Sequence, residues 1–343
     1  MAMRVTLKEV AKLAGVSYQT VSKVLNKSTQ VSKETELRIM EAVRMLGYRP
    51  NQIARNMRTQ RTNMVGYSWE PSSPDQVNTI LDQFLQSMAQ AAEQAGYHLL
   101  CFPHHSGDEM LAAYTDLIDT NRVDGFVISS VDYDDPRVAL LQERQFPFIA
   151  FGRSNPELHF PYVDVDGAAG MYMATEHLIN LGHRRIAALA WPQASRVGQN
   201  RMDGYLKALR TAGIEPKEGW IARGDGNYAF GFQAAQTWLK MPVAERPSAI
   251  VAFNDAMAVG AMRAIQLSGL QVGRDIAVTG FDDAPMVQYL SPPLTTIRQP
   301  TWDIGQRVMS SLLAILDGTL LDDPQVLVEP QLIIRQSSTL TAG

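Results

Sequence analysis

From residue 63 onward, short apolar segments rich in β-branched residues alternate with amphipathic segments of helical periodicity. The first series places strands at 64–69, 98–102, 125–129 and 148–151, with helices at 77–95, 109–120 and 138–144. The second places helices at 168–181, 199–212, 230–239 and 256–267, with strands at 185–190, 220–223, 249–253 and 276–279. A last helix at 302–316 and strands near 326–328 and 332–335 follow. Apolar strands separated by helices form parallel sheets covered on both faces, so two α/β lobes are predicted.

The first fifty residues show a different pattern, three short helices with a glycine between the first two. Thr6 and Glu9 have the spacing of a capping box at the first helix. Gly15 permits the left-handed backbone of a tight turn, and Ser17 is placed to cap the second helix. The third helix is expected to begin near Ser32. Its predicted buried stripe is Leu37, Met40, Val43 and Leu46. Together these features predict an all-α helix-turn-helix headpiece.

Charge is divided unevenly between this headpiece and the rest of the chain. Residues 1–61 contain twelve lysines and arginines and four acidic residues, a net charge of +8, whereas the remainder carries −12. The second helix is predicted to expose Tyr18, Gln19, Ser22 and Lys23, side chains that a DNA major groove accepts. A basic head on an acidic body is typical of a nucleic-acid-binding unit joined to another function. A three-helix bundle without a ligand is the alternative.

The sequence does not favour an enzyme. It contains no Gly-x-Ser-x-Gly elbow, no Gly-x4-Gly-Lys-Ser/Thr phosphate loop and no His-Glu-x-x-His zinc motif. Residues 224–229 formally resemble a dinucleotide fingerprint, but a single match of this kind is a weak signal. His104 and His105 beside Asp108 lack further ligands at metal-binding spacing, so a solvated loop is expected. We therefore predict no catalytic residues, no metal and no cofactor.

Cysteine content and hydropathy indicate the cellular compartment in which the protein is expected. The single cysteine, Cys101, excludes an internal disulfide, and its apolar surroundings predict a buried strand residue. No apolar run approaches the length of a membrane span, and the N-terminus lacks the hydrophobic core of a signal peptide. We therefore expect a cytoplasmic protein without a membrane partner.

Ligands of parallel α/β sheets bind at the carboxyl ends of the strands, and between two lobes this position is a cleft. The loops at those ends are rich in polar and aromatic residues. They include Trp69, Asp75, Gln76, Arg153, Trp191, Arg201, Tyr228, Asn254, Asp255 and Asp282. Carboxylate, amide and guanidinium groups match vicinal hydroxyls, and aromatic rings pack on apolar ring faces, so a carbohydrate or polyol is predicted. Taken singly, each of these residues is better explained by a structural role, such as a helix cap for Asn254 or Asp255 and a turn former for Asp282.

Short motifs that are typical of one protein family lie along essentially the whole chain. In the head they are 6–17, 20–26, 31–32 and 46–51. In the body they are 122–125, 182–186, 254–261, 280–283 and 293–300, including Gly280-Phe-Asp-Asp and Pro293-Leu-Thr-Thr-Ile-Arg-Gln-Pro. In these segments the chain resembles the lactose-repressor/galactose-repressor (LacI/GalR) family of bacterial transcription regulators. The resemblance implies a headpiece joined to a two-lobed α/β body with parallel sheets, similar to periplasmic binding proteins.

The resemblance also implies a division into segments. A headpiece at 1–50 would be followed by a hinge helix or linker at 51–62. The first lobe would comprise 63–162 and 293–323, and the second 163–292 and 324–343. The chain would therefore cross between the lobes near Val163, Pro292 and Asp323. The tetramerising heptad tail of the lactose repressor has no counterpart after Leu340, so a homodimer is expected.

For double-stranded operator DNA, the resemblance implies that the second helix of each head enters the major groove, with Tyr18, Gln19 and Lys23 at base edges. The other head contacts would be Thr6 and, mostly at phosphates, Ser17, Thr20, Ser22 and Asn26. The hinge contacts at the operator centre would be Asn51, Ala54, Arg55, Met57 and Arg58. Met57 replaces the leucine wedge usual in the family, and Asn56 replaces the usual serine. Methionine is a competent wedge, whereas the preferred central base step is left open.

For the effector, Arg201 matches the family's ligand-gripping arginine, Asn254 its loop asparagine and Asp282 its hydroxyl-binding acid. Gln76 and Val77 fall where the first lobe lines the cleft. Gly226 stands where members often carry an aromatic that stacks on the ligand. The residues available to supply that missing face are Trp69, Trp191, Tyr228 and Phe230. A sugar or oligosaccharide is favoured over a purine, which requires a stacking clamp.

We predict a sequence-specific transcriptional regulator, in the simplest case a repressor, whose operator affinity is controlled allosterically by a small ligand. An enzyme and a secreted or lipid-anchored sugar-binding receptor are the alternatives. The lack of catalytic motifs argues against the first, and the fused basic head and missing signal peptide argue against the second. The residues do not reveal whether the ligand loosens or tightens DNA binding.

Overall fold

This computed structural model describes residues 5–25, 31–48, 61–69, 79–103 and 108–339. The chain divides into two compact units, Met1–Arg61 and Thr62–Gly343. Several positions singled out in the sequence lie outside the described residues. They are Asn26, Asn51, Ala54, Arg55, Asn56, Met57 and Arg58 of the DNA-binding prediction, Asp75, Gln76 and Val77 of the ligand-binding prediction, and His104 and His105.

The first unit contains the three predicted helices, α1 (Leu7–Ala14), α2 (Tyr18–Leu25) and α3 (Lys33–Leu46). The Glu9 carboxylate accepts hydrogen bonds from the Thr6 amide at 2.7 Å and the Thr6 hydroxyl at 2.9 Å. Gly15 ends α1 with a φ of +65°, a left-handed conformation that glycine adopts at little cost. The predicted capping box and glycine turn are therefore confirmed.

The core of this unit contains Val10 and Val21, which pack against Ile39 and Ala42 of α3. The predicted stripe of α3 is wrong in part, because Leu37 is 70 % exposed and Met40 is also exposed. Ile39, Ala42, Val43 and Leu46 form the buried side. Apolar residues on this helix permit two overlapping stripes at helical spacing, and packing against α1 and α2 selects between them.

The second unit begins with a six-stranded sheet in the order β11-β5-β4-β3-β1-β2, in which every neighbouring pair is parallel. Its strands are β1 (Met64–Trp69), β2 (His98–Pro103), β3 (Gly125–Ile128), β4 (Phe148–Phe151), β5 (Tyr162–Val165) and β11 (Gln325–Val328). The helices of this first lobe are α4 (Thr79–Gln94), α5 (Asp108–Asp119), α6 (Pro136–Glu143) and α11 (Thr301–Leu316). Two apolar cores include opposite faces of the sheet, as expected for strands covered on both sides.

A four-stranded parallel sheet in the order β7-β6-β8-β9 forms the second lobe. Its strands are β6 (Ile186–Ala190), β7 (Ile221–Arg223), β8 (Ala249–Ala252) and β9 (Ala277–Thr279). Its helices are α7 (Gly167–Asn180), α8 (Arg196–Thr211), α9 (Tyr228–Leu239) and α10 (Asp255–Leu267), with 3-10 turns at Glu218–Trp220 and Val287–Tyr289. The predicted fold class, a helical head with a two-lobed parallel α/β body, is confirmed.

A third, antiparallel pair joins β10 (Thr296–Arg298) to β12 (Gln331–Ile333), and the short helix α12 (Gln336–Thr339) follows. The sequence assigned residues 163–292 and 324–343 to the second lobe, but β5 and β11 both belong to the first sheet. Val326 of β11 lies opposite Val163 of β5, and both are buried in the first lobe's core. Hydrophobic pattern identifies a strand but not the sheet edge that it joins, so these predicted crossings were placed too early.

Cys101 corrects a second expectation, because it is exposed rather than buried. Its strand, β2, lies at the edge of the first sheet and pairs with β1 on one side only. None of the helices in the described ranges is long and apolar enough to cross a membrane.

Candidate functional site

A cavity of about 640 Å³ lies between the two lobes at the carboxyl ends of their strands. Six of the predicted ligand-binding residues line it. They are Arg153, Trp191, Arg201, Tyr228, Asn254 and Asp282. Trp69, at the end of β1, is instead 39 % exposed and lies outside the described cavity lining. A concave site of this size with a few convergent polar groups is typical of small-molecule binding.

Arg201 on α8 lines the cavity from the second lobe and is only 5 % exposed. Its guanidinium lies 3.6 Å from the ring centroid of Phe281 and 4.7 Å from that of Trp191. One terminal nitrogen donates a hydrogen bond to the carbonyl oxygen of Phe253. The Nε atom is buried and has no hydrogen-bond partner among the described residues. Burial lowers the pKa of Arg201 to about 10, opposed by nearby carboxylates, so the side chain remains a cation at neutral pH.

Asp282 follows β9, and its Oδ1 lies 3.8 Å from Nη2 of Arg201. The same oxygen accepts a hydrogen bond from Nε2 of Gln299 at 2.7 Å. Burial raises the pKa of Asp282 to about 6, although both Arg201 and Gln299 favour the ionised form. The carboxylate therefore titrates near physiological pH and faces the cavity with an adjacent cation.

The backbone of the Asp282 loop adopts a conformation that side chains rarely take, with φ values of +124° at Asp282 and +52° at Asp283. Two ion pairs hold it from one side, since the Asp283 carboxylate lies 2.7 Å from both Arg298 and Arg335. Such backbone is retained where surrounding contacts over-determine it. The loop is therefore held in this conformation by contacts within the protein.

Asp255, the first residue of α10, lines the same cavity and is almost completely buried. Its carboxylate accepts hydrogen bonds from the Thr296 hydroxyl at 2.6 Å and the Ala284 amide at 2.8 Å. Burial, with a smaller contribution from the charge of Asp282, raises the pKa of Asp255 well above its usual value. The sequence places Asp255 in a cleft loop, but the resemblance that assigns Arg201, Asn254 and Asp282 to the effector does not include it, and Asp255 is not among the predicted ligand-binding residues.

Asn254 has a structural role in this geometry. Its Oδ1 caps α10 by accepting from the Met257 amide at 2.9 Å, and its Nδ2 donates to the Gly226 carbonyl at 2.7 Å. Both ends of the amide are engaged, so Asn254 ties the end of β8 to the loop after β7. This is the helix-cap alternative that the sequence left open.

Two arginines join the lobes at the cavity. Arg153, after β4, pairs with Asp164 at 2.7 Å and reaches Oδ1 of Asn200 on α8 at 3.3 Å. Arg196, the first residue of α8, donates its amide to Asp132 at 2.7 Å and its Nε to the Ser154 carbonyl at 3.1 Å. These contacts bridge the loops of the first lobe to one helix of the second.

Sequence reasoning missed the cavity roles of Arg196, Asn200 and Gln299. Arg196 and Asn200 lie four residues apart at the start of α8, between Trp191 and Arg201, so they belong to the segment that the sequence places at the cleft, although neither is singled out there. Gln299 follows β10, a three-residue strand that the periodicity did not reveal.

On α2 of the first unit, Tyr18 is 50 % exposed, Gln19 and Lys23 are exposed, and Ser22 is half-buried. Ser17 caps the helix, because its Oγ accepts from the Thr20 amide at 3.1 Å and contacts the Thr20 hydroxyl at 2.8 Å. The Thr6 hydroxyl is engaged with Glu9. The predicted base-edge residues therefore share an exposed helix surface, while Ser17 and Thr20, two of the predicted phosphate contacts, lie at its capped end.

Comparison with known families matches two segments of the chain. Residues 6–51 match the family described as bacterial regulatory proteins, lacI family. Residues 175–338 match the periplasmic binding protein-like domain.

Two curated relatives are similar over nearly the whole chain. The HTH-type transcriptional repressor PurR of Photorhabdus laumondii is 34 % identical over 334 residues, covering 97 % of this chain and 96 % of the relative. The HTH-type transcriptional regulator CelR of Thermobifida fusca is 34 % identical over 342 residues, covering 97 % and 98 %.

Solved structures give the same result. A LacI-family regulatory protein from Chloroflexus aggregans is 49 % identical, with a TM-score of 0.78 and coverage of 80 % of this chain and 98 % of the other. The lac repressor dimer bound to operator and the anti-inducer ONPF is 30 % identical, with a TM-score of 0.87 and coverage of 98 % and 100 %. A CelR–cellobiose complex is 32 % identical, with a TM-score of 0.73 and coverage of 97 % and 100 %.

Proposed function

The chain belongs to the lacI family of bacterial regulatory proteins, and we propose that the ligand controlling it is a sugar or oligosaccharide bound between its two lobes. The family and its relatives make the chain a DNA-binding transcriptional repressor with a ligand-binding effector domain. The identity of the effector is the finer question. The structure of the cavity supports an answer.

The Arg201–Asp282 pair beside the Trp191 indole is the observation that carries the proposal. A guanidinium and a carboxylate 3.8 Å apart offer a donor and an acceptor at a separation that suits two neighbouring hydroxyls. The aromatic ring beside them offers an apolar surface. A pyranose has both features, because its equatorial hydroxyls form a polar rim around an apolar C–H face.

Size and similarity agree with this assignment. A cavity of about 640 Å³ lies within the usual range for small-molecule sites, roughly 300–1,000 Å³. The similar CelR protein has been solved in complex with cellobiose, a disaccharide. A ligand with one or more pyranose rings is therefore the class that best fits the lining.

For DNA, we propose that a homodimer places α2 of each head in the major groove of one half of a near-palindromic operator. Tyr18, Gln19 and Lys23 would contact base edges, and Thr6, Ser17, Thr20 and Ser22 would support the register. The similar lac repressor has been solved as an operator-bound dimer, which supports this arrangement. Methionine at position 57 would act as the minor-groove wedge.

Control would follow from a population shift. A ligand that contacts both lobes favours one relative setting of the lobes over another, and this setting would govern how the two heads are spaced. Coupling of this kind is typically about 1–3 kcal/mol, or roughly 5–150-fold in affinity. The residues in the cavity are compatible with a ligand that weakens operator binding and with a ligand that strengthens it.

Thermal-shift measurements with glucose, cellobiose, maltose, raffinose and the purine bases hypoxanthine and guanine test the effector class. A ligand that binds only the folded protein raises its melting temperature by mass action. We expect at least one saccharide to raise the melting temperature with saturation, and the purines to leave it unchanged. Stabilisation by a purine with no response to any saccharide would refute the proposal.

A further inference from the structure

Trp191, at the end of β6, and Gly226, in the loop after the neighbouring strand β7, occupy one space in the cavity wall. A Cβ atom built on Gly226 would overlap Nε1 of Trp191 and would lie 2.9 Å from Nδ2 of Asn254. An ordinary side chain at position 226 is therefore incompatible with the indole in this position.

Contacts on several sides hold the indole in place. The Arg201 guanidinium lies 4.7 Å from the Trp191 ring centroid, and Phe281 packs against the same guanidinium. The Cβ of Trp191 closely approaches α8 at Gly198, where an added Cβ would lie 3.0 Å away. Trp191 also packs against the apolar core of the second lobe. The ring is therefore pre-positioned, and ordering it on binding costs little conformational entropy.

Tyr228 provides a contrast within the same cavity. It is 46 % exposed at the start of α9 and stacks on Phe232 of its own helix, with ring centroids 6.1 Å apart. Tyr228 lacks the enclosure that surrounds Trp191, so Trp191 is the better candidate for a rigid aromatic wall.

We propose that Trp191 provides the stacking face for a pyranose ring and that Gly226 is the small partner that makes room for it. The inference rests on the proposed saccharide effector and assigns the pair as a determinant of which saccharide fits. Because the indole occupies the space that a side chain at position 226 would take, the pair would fix where in the cavity the sugar ring stacks.

One test of the pair needs no ligand. The Gly226→Ala substitution should lower the melting temperature in the wild-type background, because the new Cβ collides with the indole. The same substitution in a Trp191→Gly background should have a much smaller effect, since the obstructing ring is gone. Equal losses in the two backgrounds would overturn the claim that the two residues compete for one space.

The second test measures saccharide affinity by titration calorimetry with glucose, cellobiose, maltose and raffinose. Trp191→Ala should weaken binding of the best-binding saccharide by roughly 10- to 100-fold, the range expected for an aromatic anchor in a binding site. Trp191→Phe should recover most of the loss. Trp302→Ala, which removes a 44 % exposed tryptophan outside the described cavity lining, is the matched control and should bind like the wild type.

The double variant Trp191→Gly/Gly226→Trp tests whether the pair determines which saccharide binds. It should be more stable than Gly226→Trp alone and should change the order of affinities among the four saccharides. Wild-type affinity in Trp191→Ala would overturn the inference while leaving the saccharide proposal intact. A wild-type protein that binds none of the four, and a purine instead, would overturn both.

Discussion

Oδ1 of Asp282 accepts a hydrogen bond from Nε2 of Gln299 at 2.7 Å. Gln299 lies between β10, which is packed with the second lobe, and α11 of the first lobe. The next residue, Asp283, is paired with Arg298, the last residue of β10 and the neighbour of Gln299. The cavity carboxylate is thus bonded directly to a segment that runs between the lobes, which gives a ligand at Asp282 a short route to their relative setting.

The hydrogen bond to Gln299 should matter more for allosteric coupling than for ligand binding. Gln299→Leu is expected to change saccharide affinity only a few-fold but to reduce the ligand-induced change in operator affinity to less than about threefold. Fluorescence anisotropy of labelled operator with and without saccharide measures both. Gln142→Leu is the control, because it removes a similar amide-to-carbonyl bond of 2.8 Å far from the cavity lining. Coupling of wild-type size in Gln299→Leu would exclude this route.

Asp282→Ala should abolish the ligand response while ligand-free protein still binds operator. Removing hydrogen bonds to a charged group costs about 1.5–3 kcal/mol, so saccharide affinity should fall by roughly 10- to 150-fold. Titration calorimetry and gel shift provide the two readouts. Asp203→Ala, an exposed carboxylate on α8, should behave like the wild type. An unchanged response in Asp282→Ala would remove Asp282 from the site.

Saccharide affinity should depend on pH through Asp282. The pKa of this carboxylate in the free protein is raised to about 6, and the ionised form is the one that accepts hydroxyl hydrogen bonds. Binding must therefore displace a proton at low pH, and affinity should fall as pH decreases through 6. The loss should be about tenfold at one unit below the pKa. Calorimetry at pH 5 and pH 7 checks this, and Asp282→Asn should show a flat profile.

In the head, Lys23→Ala should relax base preference at one operator position. A good base contact contributes about 1–3 kcal/mol of discrimination, or roughly 5- to 150-fold between bases. Lys33→Ala is the matched comparison and should weaken binding uniformly while flattening its salt dependence. Affinity measured against all four base pairs at each operator position distinguishes the two. Unchanged preference in Lys23→Ala would contradict the proposed register of α2.

The observed burial of α3 predicts unequal effects for two apolar residues. Ile39→Ala should destabilise the head by about 2–5 kcal/mol because it opens a cavity in the core. Leu37→Ala, at a 70 % exposed site, should change stability by about 0.5 kcal/mol or less. A loss of stability in the head appears as faster hydrogen exchange of the backbone amides of α1 to α3, measured in the full chain. Equal losses of stability from the two substitutions would support the predicted buried side of α3, which includes Leu37, over the observed one.

Much of the fold follows from local pattern. Met64–Trp69 and Phe148–Phe151 are strands at the predicted limits, because an apolar run bounded by turn residues is a strong signal. Tyr162–Val165 and Thr296–Arg298 escaped notice because they are short and mix polar with apolar residues, so they lack the apolar run that marks Phe148–Phe151. The lobe to which β11 belongs depends on pairing with a distant strand, which no local pattern contains.

The cavity residues likewise divide into those that the sequence predicts and those that only the structure reveals. Arg201 and Asp282 could be placed in it from the sequence, because each follows the carboxyl end of a predicted strand and matches an effector-binding residue of the family that the chain resembles. The position of the Trp191 indole over Gly226 could not, because it depends on how two loops from adjacent strands approach each other. Gln299 required knowledge of the β10–β12 pair, which sets the path of the crossing segment.

The most direct test of the account is the affinity of the full chain for an operator duplex selected from a near-palindromic pool, measured with and without each saccharide. Wild-type protein and Asp282→Ala would be compared under identical salt. We predict that at least one saccharide changes the wild-type dissociation constant by roughly 5- to 150-fold and leaves that of Asp282→Ala unchanged. The same shift in both proteins, or no shift with any saccharide that binds, would contradict control of operator affinity from this cavity.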